Sequence, residues 1–340
     1  MPFGPFTLQW RAPWPNPPKP STPLPEGIRR SYIETPSGPL ELLSAIPADL
    51  TSSKPPLLFA HGGFGCASIW LSYMTYFSSR GYPCYAISYR GHGNSWYPGF
   101  WRMYFTSRGT MAEDLKAGVQ EVEKLETTRQ NAEEKIRVVL VAHSAGGALS
   151  QYALSRGLVK VQGFCMLAAV PGFGSWSVYK FWGLTAPIHF PYRLFHPRYI
   201  LANTKQVHDA FFTASTPTSV VKQLESLLSP YESMLWPMQA LFRFVTGPDV
   251  IRFLVLAGEQ DVLCTPSILK DAASRYGAAV QQCARMGKLD GFSGNDIKFG
   301  SDGEGSGVGF KVAKGLGHHL QNHIEWERGA QQILEWVEEL

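Results

Sequence analysis

The chain has 340 residues, 44% of them hydrophobic and 17% charged, with a formal net charge of +4. That is enough for a large buried core. It excludes a disordered chain, and without a long Lys/Arg run it also argues against a nucleic-acid partner. The cysteines (Cys66, Cys84, Cys165, Cys264, Cys283) are odd in number and lack C-x-x-C spacing, so neither a disulfide framework nor a zinc site is expected. Met1 to Pro25 has no basic segment followed by an apolar run, which predicts no signal peptide. No apolar stretch reaches 18 residues, so no membrane-spanning helix is expected and the predicted localisation is cytoplasmic.

In chain order, residues 1–26 are proline-rich with Trp10 and Trp14 between, and read as an extended arm. Arg30 to Glu34 and Leu40 to Ala45, joined through Pro36-Ser37-Gly38-Pro39, predict a β-hairpin. Pro56 to Ala60 is a strand ending in His61-Gly62-Gly63-Phe64-Gly65, Ile69 to Ser79 a helix, and Pro83 to Tyr89 a further strand. An aromatic loop, Trp96 to Ser107, precedes a helix whose start is assigned to a Thr110/Glu113 capping box. Val138 to Val141 is a short buried strand, followed by a helix through Leu154 and by the next strand, Val161 to Val170. Strands and helices alternating at this spacing predict an α/β fold, a mostly parallel central sheet with helices on both faces.

The alternation stops at Pro171 and resumes with the strand Arg252 to Gly258. The stretch 171–246 therefore reads as a mainly helical cap, or lid, inserted into a core made of 27–170 and 247–340. Ser267 to Tyr276 predicts a helix, 284–309 a Gly-rich excursion, Val308 to Ala313 the last strand and Trp326 to Val337 the last helix.

The stretch that organises the chain is Val138-Val139-Leu140-Val141-Ala142-His143-Ser144-Ala145-Gly146-Gly147. A strand turning at once into a helix around a serine forms a nucleophile elbow, and the small residues around Ser144 let strand and helix approach. A serine hydroxyl needs a base, and the base needs a group to fix its tautomer. Asp261 follows the strand ending at Gly258 and His318 follows the last strand, giving the chain order Ser144, Asp261, His318. Glu259 is the alternative acid and His319 the alternative base. Acyl chemistry also needs donors for a developing oxyanion: the N–H of Ala145 is one, that of Gly63 or Phe64 the other, with His61 bracing the loop.

These segments together resemble the α/β-hydrolase fold over roughly residues 28–340. His61-Gly62-Gly63 resembles its oxyanion loop, Arg90-Gly91-His92-Gly93-Asn94-Ser95 its R-G-x-G-x-S turn, and Ala142-His143-Ser144-Ala145-Gly146 its elbow. Gly258-x-x-Asp261 and Gly317-His318 resemble its acid turn and histidine loop. Ala142 stands where glycine is commoner, and Ser88 where many members have aspartate. The resemblance implies a serine hydrolase, an esterase or thioesterase-like enzyme that needs no cofactor and no metal. A serine nucleophile argues against epoxide hydrolases and dehalogenases, which use aspartate there.

Among the look-alikes, His319 and His323 have zinc-helix spacing without its glutamate. Asp302 to Gly307 imitates a calcium loop but has Ala313 at the twelfth position. The cap aromatics predict a broad, apolar substrate cavity. Phe173, Trp176 and Trp182 are offered as its wall, together with His143 and His319 beside the elbow and the histidine loop. Residues 171–201 contain no Asp or Glu, so His189, Arg193, His196 or Arg198 are expected as handles for a carboxylate-bearing or electron-rich substrate.

The reading is a hydrolase of an ester, thioester or lactone of a small but bulky hydrophobic compound, with a homodimer the one assembly left open. The alternative is a non-hydrolytic cyclase, lyase or acyl transferase of secondary metabolism using the same triad. An aminopeptidase ranks lower because no acidic cluster in the cap suggests a grip for an amino terminus, and a ligand-binding receptor is disfavoured by the complete triad.

Overall fold

The short apolar runs Leu57–Ala60 (β3), Cys84–Ile87 (β4), Val139–His143 (β5), Gly163–Leu167 (β6) and Phe253–Gly258 (β7) are buried along their whole length. That is the pattern of parallel strands covered on both faces. In the computed structural model, which describes residues 23–230, 232–243, 245, 252–286 and 307–340, they form the centre of an eight-stranded sheet. Ile28–Ile33 (β1), Leu40–Ala45 (β2) and Val308–Ala313 (β8) complete it in the order β1-β2-β4-β3-β5-β6-β7-β8. β2 runs antiparallel to both β1 and β4, and every other pairing is parallel.

Strand alternation puts helices on both faces. Phe59 of β3 packs on Trp70, Tyr73 and Phe77 of the turn and helix Leu71–Ser78 (α1). Its register partner is Ala86, so Tyr85 and Ile87 of β4 point to the opposite face. There Tyr85 donates to Glu126, and Ile87 lies against Gly118, of the helix Arg108–Arg129 (α3). On that second face α3 packs on Ser144–Ser155 (α4). Gln151 of α4 is in turn hydrogen-bonded to Tyr276 of Pro266–Arg285 (α9).

Three local expectations change. The aromatic loop contains a short helix, Phe100–Tyr104 (α2). Helix α3 starts at Arg108, capped by Ser107, whose Oγ accepts the Thr110 N–H at 3.2 Å. The serine lies three residues before the threonine, so Thr110 is inside the first turn rather than its cap. Helix α9 runs through Gly277 to Arg285, because burial of Val280 outweighs the roughly 1 kcal/mol a helical glycine costs. The last helix, Glu327–Val337 (α10), buries Ile333, Leu334 and Val337 as its spacing predicts.

Between β6 and β7 the described residues contain no strand. They form Ala186–Tyr192 (α5), Thr204–Phe211 (α6), Thr218–Leu227 (α7) and Leu235–Gln239 (α8), with 3₁₀ turns at Val178–Trp182 and Pro197–Ile200. Most of the proline-rich arm and of the Gly-rich excursion, with its calcium-loop look-alike, lies outside the described residues. Among those described, no helix is long and apolar enough to cross a membrane.

Candidate active site

β5 ends at His143 and α4 begins at Ser144, whose φ is +51°. A side chain held there costs about 1–3 kcal/mol, which the surrounding packing must offset. The packing is close enough to do so: a Cβ on Gly146 would sit 2.1 Å from the His61 carbonyl oxygen, and one on Gly62 2.8 Å from Ser144 Cβ. Only glycine fits either position, so the oxyanion-type loop after β3 is pressed against the turn that carries the serine.

His318 Nε2 is 2.9 Å from Ser144 Oγ, and His318 Nδ1 is 2.8 Å from Asp261 Oδ2. Asp261 Oδ1 accepts the N–H groups of Leu263 at 2.8 Å and Cys264 at 3.0 Å. The carboxylate, buried beside its histidine, thus has donors on both oxygens and a fixed direction. With Nδ1 donating to Asp261, Nε2 is the acceptor that can take the serine proton. His143 Nε2 donates to the His318 carbonyl at 3.0 Å, and Phe211 stacks on the imidazole. The two alternatives lie elsewhere. Glu259 accepts the Gly315 N–H at 2.8 Å, and His319 packs between His143 and Phe211, where burial and the neighbouring His318 push it down to about 3.

Asp261, Cys264 and His318 are the one grouping among the described residues close enough to share a metal ion. Their donor atoms have other work. Both His318 nitrogens face Asp261 and Ser144, and burial, then the Asp261 charge, push the Cys264 thiol far up and away from the thiolate a metal would need.

Ser144 opens into a cavity of about 120 Å³ walled by Tyr179, Trp182, Tyr199, Phe211, Trp236 and Leu263. An apolar cavity of about 150 Å³ holds benzene, so this one takes a group of that order before its walls move. It is apolar as expected but not broad. Trp182 is on the wall; the other proposed contacts are not. Phe173 lies on Tyr276 beneath Arg275, and Trp176 is an exposed residue beside Phe242. His143 and His319 are buried under the elbow, packed against one another.

Gly63 and Ala145 line the cavity, and their N–H groups have no protein acceptor among the described residues. Phe64 differs. Its N–H donates to Glu232 Oε2 at 3.0 Å, and its carbonyl accepts the Ser229 N–H at 2.7 Å. Between Gly63 and Phe64, the free donor is Gly63.

The basic handles are corrected too. Arg193 donates to the Tyr199 carbonyl and Gln206, Arg198 to the Leu201 carbonyl, and His196 Nδ1 accepts the Arg198 N–H. They hold their own segment together, and none of them, nor His189, is on the cavity wall. The charged residue that is there is an acid, Glu232, paired with His92. One signal for it was present: in Leu227-Leu228-Ser229-Pro230-Tyr231-Glu232-Ser233-Met234-Leu235-Trp236 it is the lone charge in an apolar run. The partner on a distant turn could not be read.

A model of the alpha/beta hydrolase family matches residues 57–322. Similar solved structures include a thermophilic esterase from Thermogutta terrifontis, at 17% identity and a TM-score of 0.60, covering 92% of this chain and 98% of that one. A carboxylesterase from Bacillus subtilis matches at 17% identity and 0.58, covering 92% of each chain. A thioesterase domain from the curacin biosynthetic pathway matches at 14% identity and 0.55, covering 90% of this chain and 99% of that one. The match spans every strand from β3 to β8 and all three residues gathered at the elbow, and on it the chain belongs to the α/β-hydrolase family.

Proposed function

We propose that the chain is a serine hydrolase acting on an ester, thioester or lactone of a hydrophobic compound. The observation that carries this reading is the unbroken hydrogen-bond line Ser144–His318–Asp261 at the floor of an apolar cavity. The esterases and thioesterase that share the fold are in keeping with it. Residues 171–246 act as the cap, since they supply most of the cavity wall.

In this mechanism Ser144 Oγ attacks the carbonyl carbon while its proton passes to His318 Nε2, and Asp261 stabilises the imidazolium through Nδ1–H. The oxyanion is held by the N–H groups of Ala145 and Gly63, donors already in place before charge develops. The imidazolium returns the proton to the departing alcohol or thiol, leaving an acyl-enzyme. Water then attacks, its proton going to His318, and the acid leaves as Ser144 is reprotonated. No step calls for a cofactor.

The test is hydrolysis of p-nitrophenyl esters from acetyl to decanoyl, with a benzoyl ester alongside, by wild type and Ser144→Ala. Serine-dependent turnover, best for short or single-ring acyl groups, is the expected result. Hydrolysis that survives in Ser144→Ala rules the reading out.

A further inference from the structure

The Glu232–His92 pair lies beside the oxyanion loop and takes no part in the mechanism above. His92 Nδ1 is 2.9 Å from the Arg90 carbonyl, and Nε2 is 2.9 Å from Glu232 Oε2. Both ring nitrogens face acceptors, so both carry protons when Glu232 is a carboxylate. The N–H groups of Phe64 and Ser233 (2.7 Å, to Oε1) favour that form. The pair is a buried imidazolium–carboxylate, net neutral, with each hydrogen bond made.

What it holds is Phe64. That residue has φ +61°, left-handed, where a phenylalanine does not rest unaided. Ser229 and Glu232 grip it on both sides, through its carbonyl and its N–H. Fixing the Gly63–Phe64 peptide in this way takes the Phe64 N–H out of use and restrains the adjoining Gly63, which lines the cavity and whose own N–H has no protein acceptor among the described residues. The carboxylate itself is 3.9 Å from where a Cβ on Gly63 would sit. Unpaired, it would oppose the oxyanion that forms there; paired with the imidazolium, it does not.

We propose that Glu232, charge-balanced by His92, is a positioning residue that presets the oxyanion loop, so that this donor is assembled only when the segment between β6 and β7 is seated. The proposal rests on the hydrolase reading. The groups facing His92 are few. His61 is 4.8 Å away ring to ring and held neutral, its pKa pushed down to about 3 by burial and then by His92. Arg90, in the same turn, is neutralised by Asp114 of α3, and Glu41 beyond Gly93 is paired with Arg30. Glu232 is the unshared partner. Loss of one His92 proton therefore leaves Glu232 without its countercharge beside the oxyanion loop and one of the two ring hydrogen bonds unmade, and the clamp weakens at alkaline pH.

The experiment compares kcat, KM and their pH profiles for wild type, Glu232→Ala, Glu232→Gln and Ser144→Ala on the best p-nitrophenyl ester. Loss of one oxyanion donor costs about 10²–10³ in kcat, so Glu232→Ala should fall about 100-fold in kcat with KM within about threefold. Glu232→Gln, with its carbonyl oxygen in the place of Oε2, can still accept from Phe64 and from an Nε2–H of neutral His92, and gives up only the Ser233 bond. It should retain more than a tenth of kcat and lose the alkaline fall that wild type shows.

An alkaline limb unchanged in Glu232→Gln, or Glu232→Ala with half the wild-type kcat, overturns the proposal. An effect confined to KM overturns it as well, making Glu232 a substrate anchor. If Glu232→Ala does not fold, the Gln variant decides. Wild type no better than Ser144→Ala would sink the hydrolase reading itself, a result distinct from any of these.

Discussion

The sheet and the segment between β6 and β7 are held together by different means. In β3 to β7 every residue is buried, and backbone pairing to both neighbours fixes the register of five strands. The other region is short helices joined by turns, and it leaves Leu184, Leu194 and Phe242 in solvent. It is tied to the rest of the chain by scattered single bonds, backbone ones such as the Ser229 N–H on the Phe64 carbonyl and the Met234 N–H on the Tyr104 carbonyl, and side-chain ones such as Glu232 on the Phe64 N–H. The proposed chemistry draws its three triad residues from the strand ends, and most of its cavity wall from the second region. On the proposed function, the strand ends would carry the reacting groups and the second region would shape access to them.

Variants on the two sides should separate this division. The largest effect is expected at the elbow, where Ser144→Ala should cost about 10⁴- to 10⁶-fold in kcat on p-nitrophenyl esters. Asp261→Asn should cost about 10⁴-fold, by stabilising the wrong His318 tautomer. Glu259→Gln, which faces Gly315 instead, should change kcat less than twofold, and a reversed ranking would reassign the acid.

Within the sheet, Leu140→Ala removes a fully buried side chain from β5 and should lower the unfolding free energy by about 2–5 kcal/mol, read from urea midpoints.

The Glu232–His92 pair crosses between the regions, and its pH signature follows from two opposite shifts. Burial alone would lower His92, but Glu232 raises it above the ordinary 6.5, so its contribution is complete below 6.5 and lost as pH rises through the raised value. Burial alone would raise Glu232, but His92 and two backbone donors hold it below 4.5. Its contribution is complete above 4.5 and lost as pH falls through the lowered value. The stability gap between wild type and Glu232→Gln should therefore be widest between 4.5 and 6.5 and narrow on both sides. A gap independent of pH would mean that the pair is not ionised.

The smallest effect belongs to Leu184, 90% exposed, where a change to serine should move stability by less than about 0.5 kcal/mol. A loss comparable to that of Leu140→Ala would mean the segment is packed against something more than its own chain.

The strands, the order Ser144–Asp261–His318 and the residues at the elbow were legible in the sequence because each is written locally. Apolar runs of four to six residues specify buried strands, and glycines specify close approach. Helix starts were less so: Ser107 and Thr110 are equivalent candidates until one is seen to accept a backbone N–H. In the segment after β6 helical spacing places Val221 and Leu224 on one buried face of Thr218–Leu227, but it says nothing of the aromatics outside such helices. There an aromatic such as Trp176 reads the same whether it faces a cavity or solvent, and arginines that looked like substrate handles proved to be ties within their own segment.

By itself the sequence determined the α/β alternation, the elbow and the chain order of the acid and histidine, since these depend on contacts between residues close in the chain. Tertiary structure alone decided which amide is free to meet an oxyanion, which aromatics face the serine, and that the charge beside it is negative. Each of those depends on residues far apart in sequence, Phe64 with Glu232 and Glu232 with His92. Such pairings are set by how two differently packed regions close on each other, which no local pattern records.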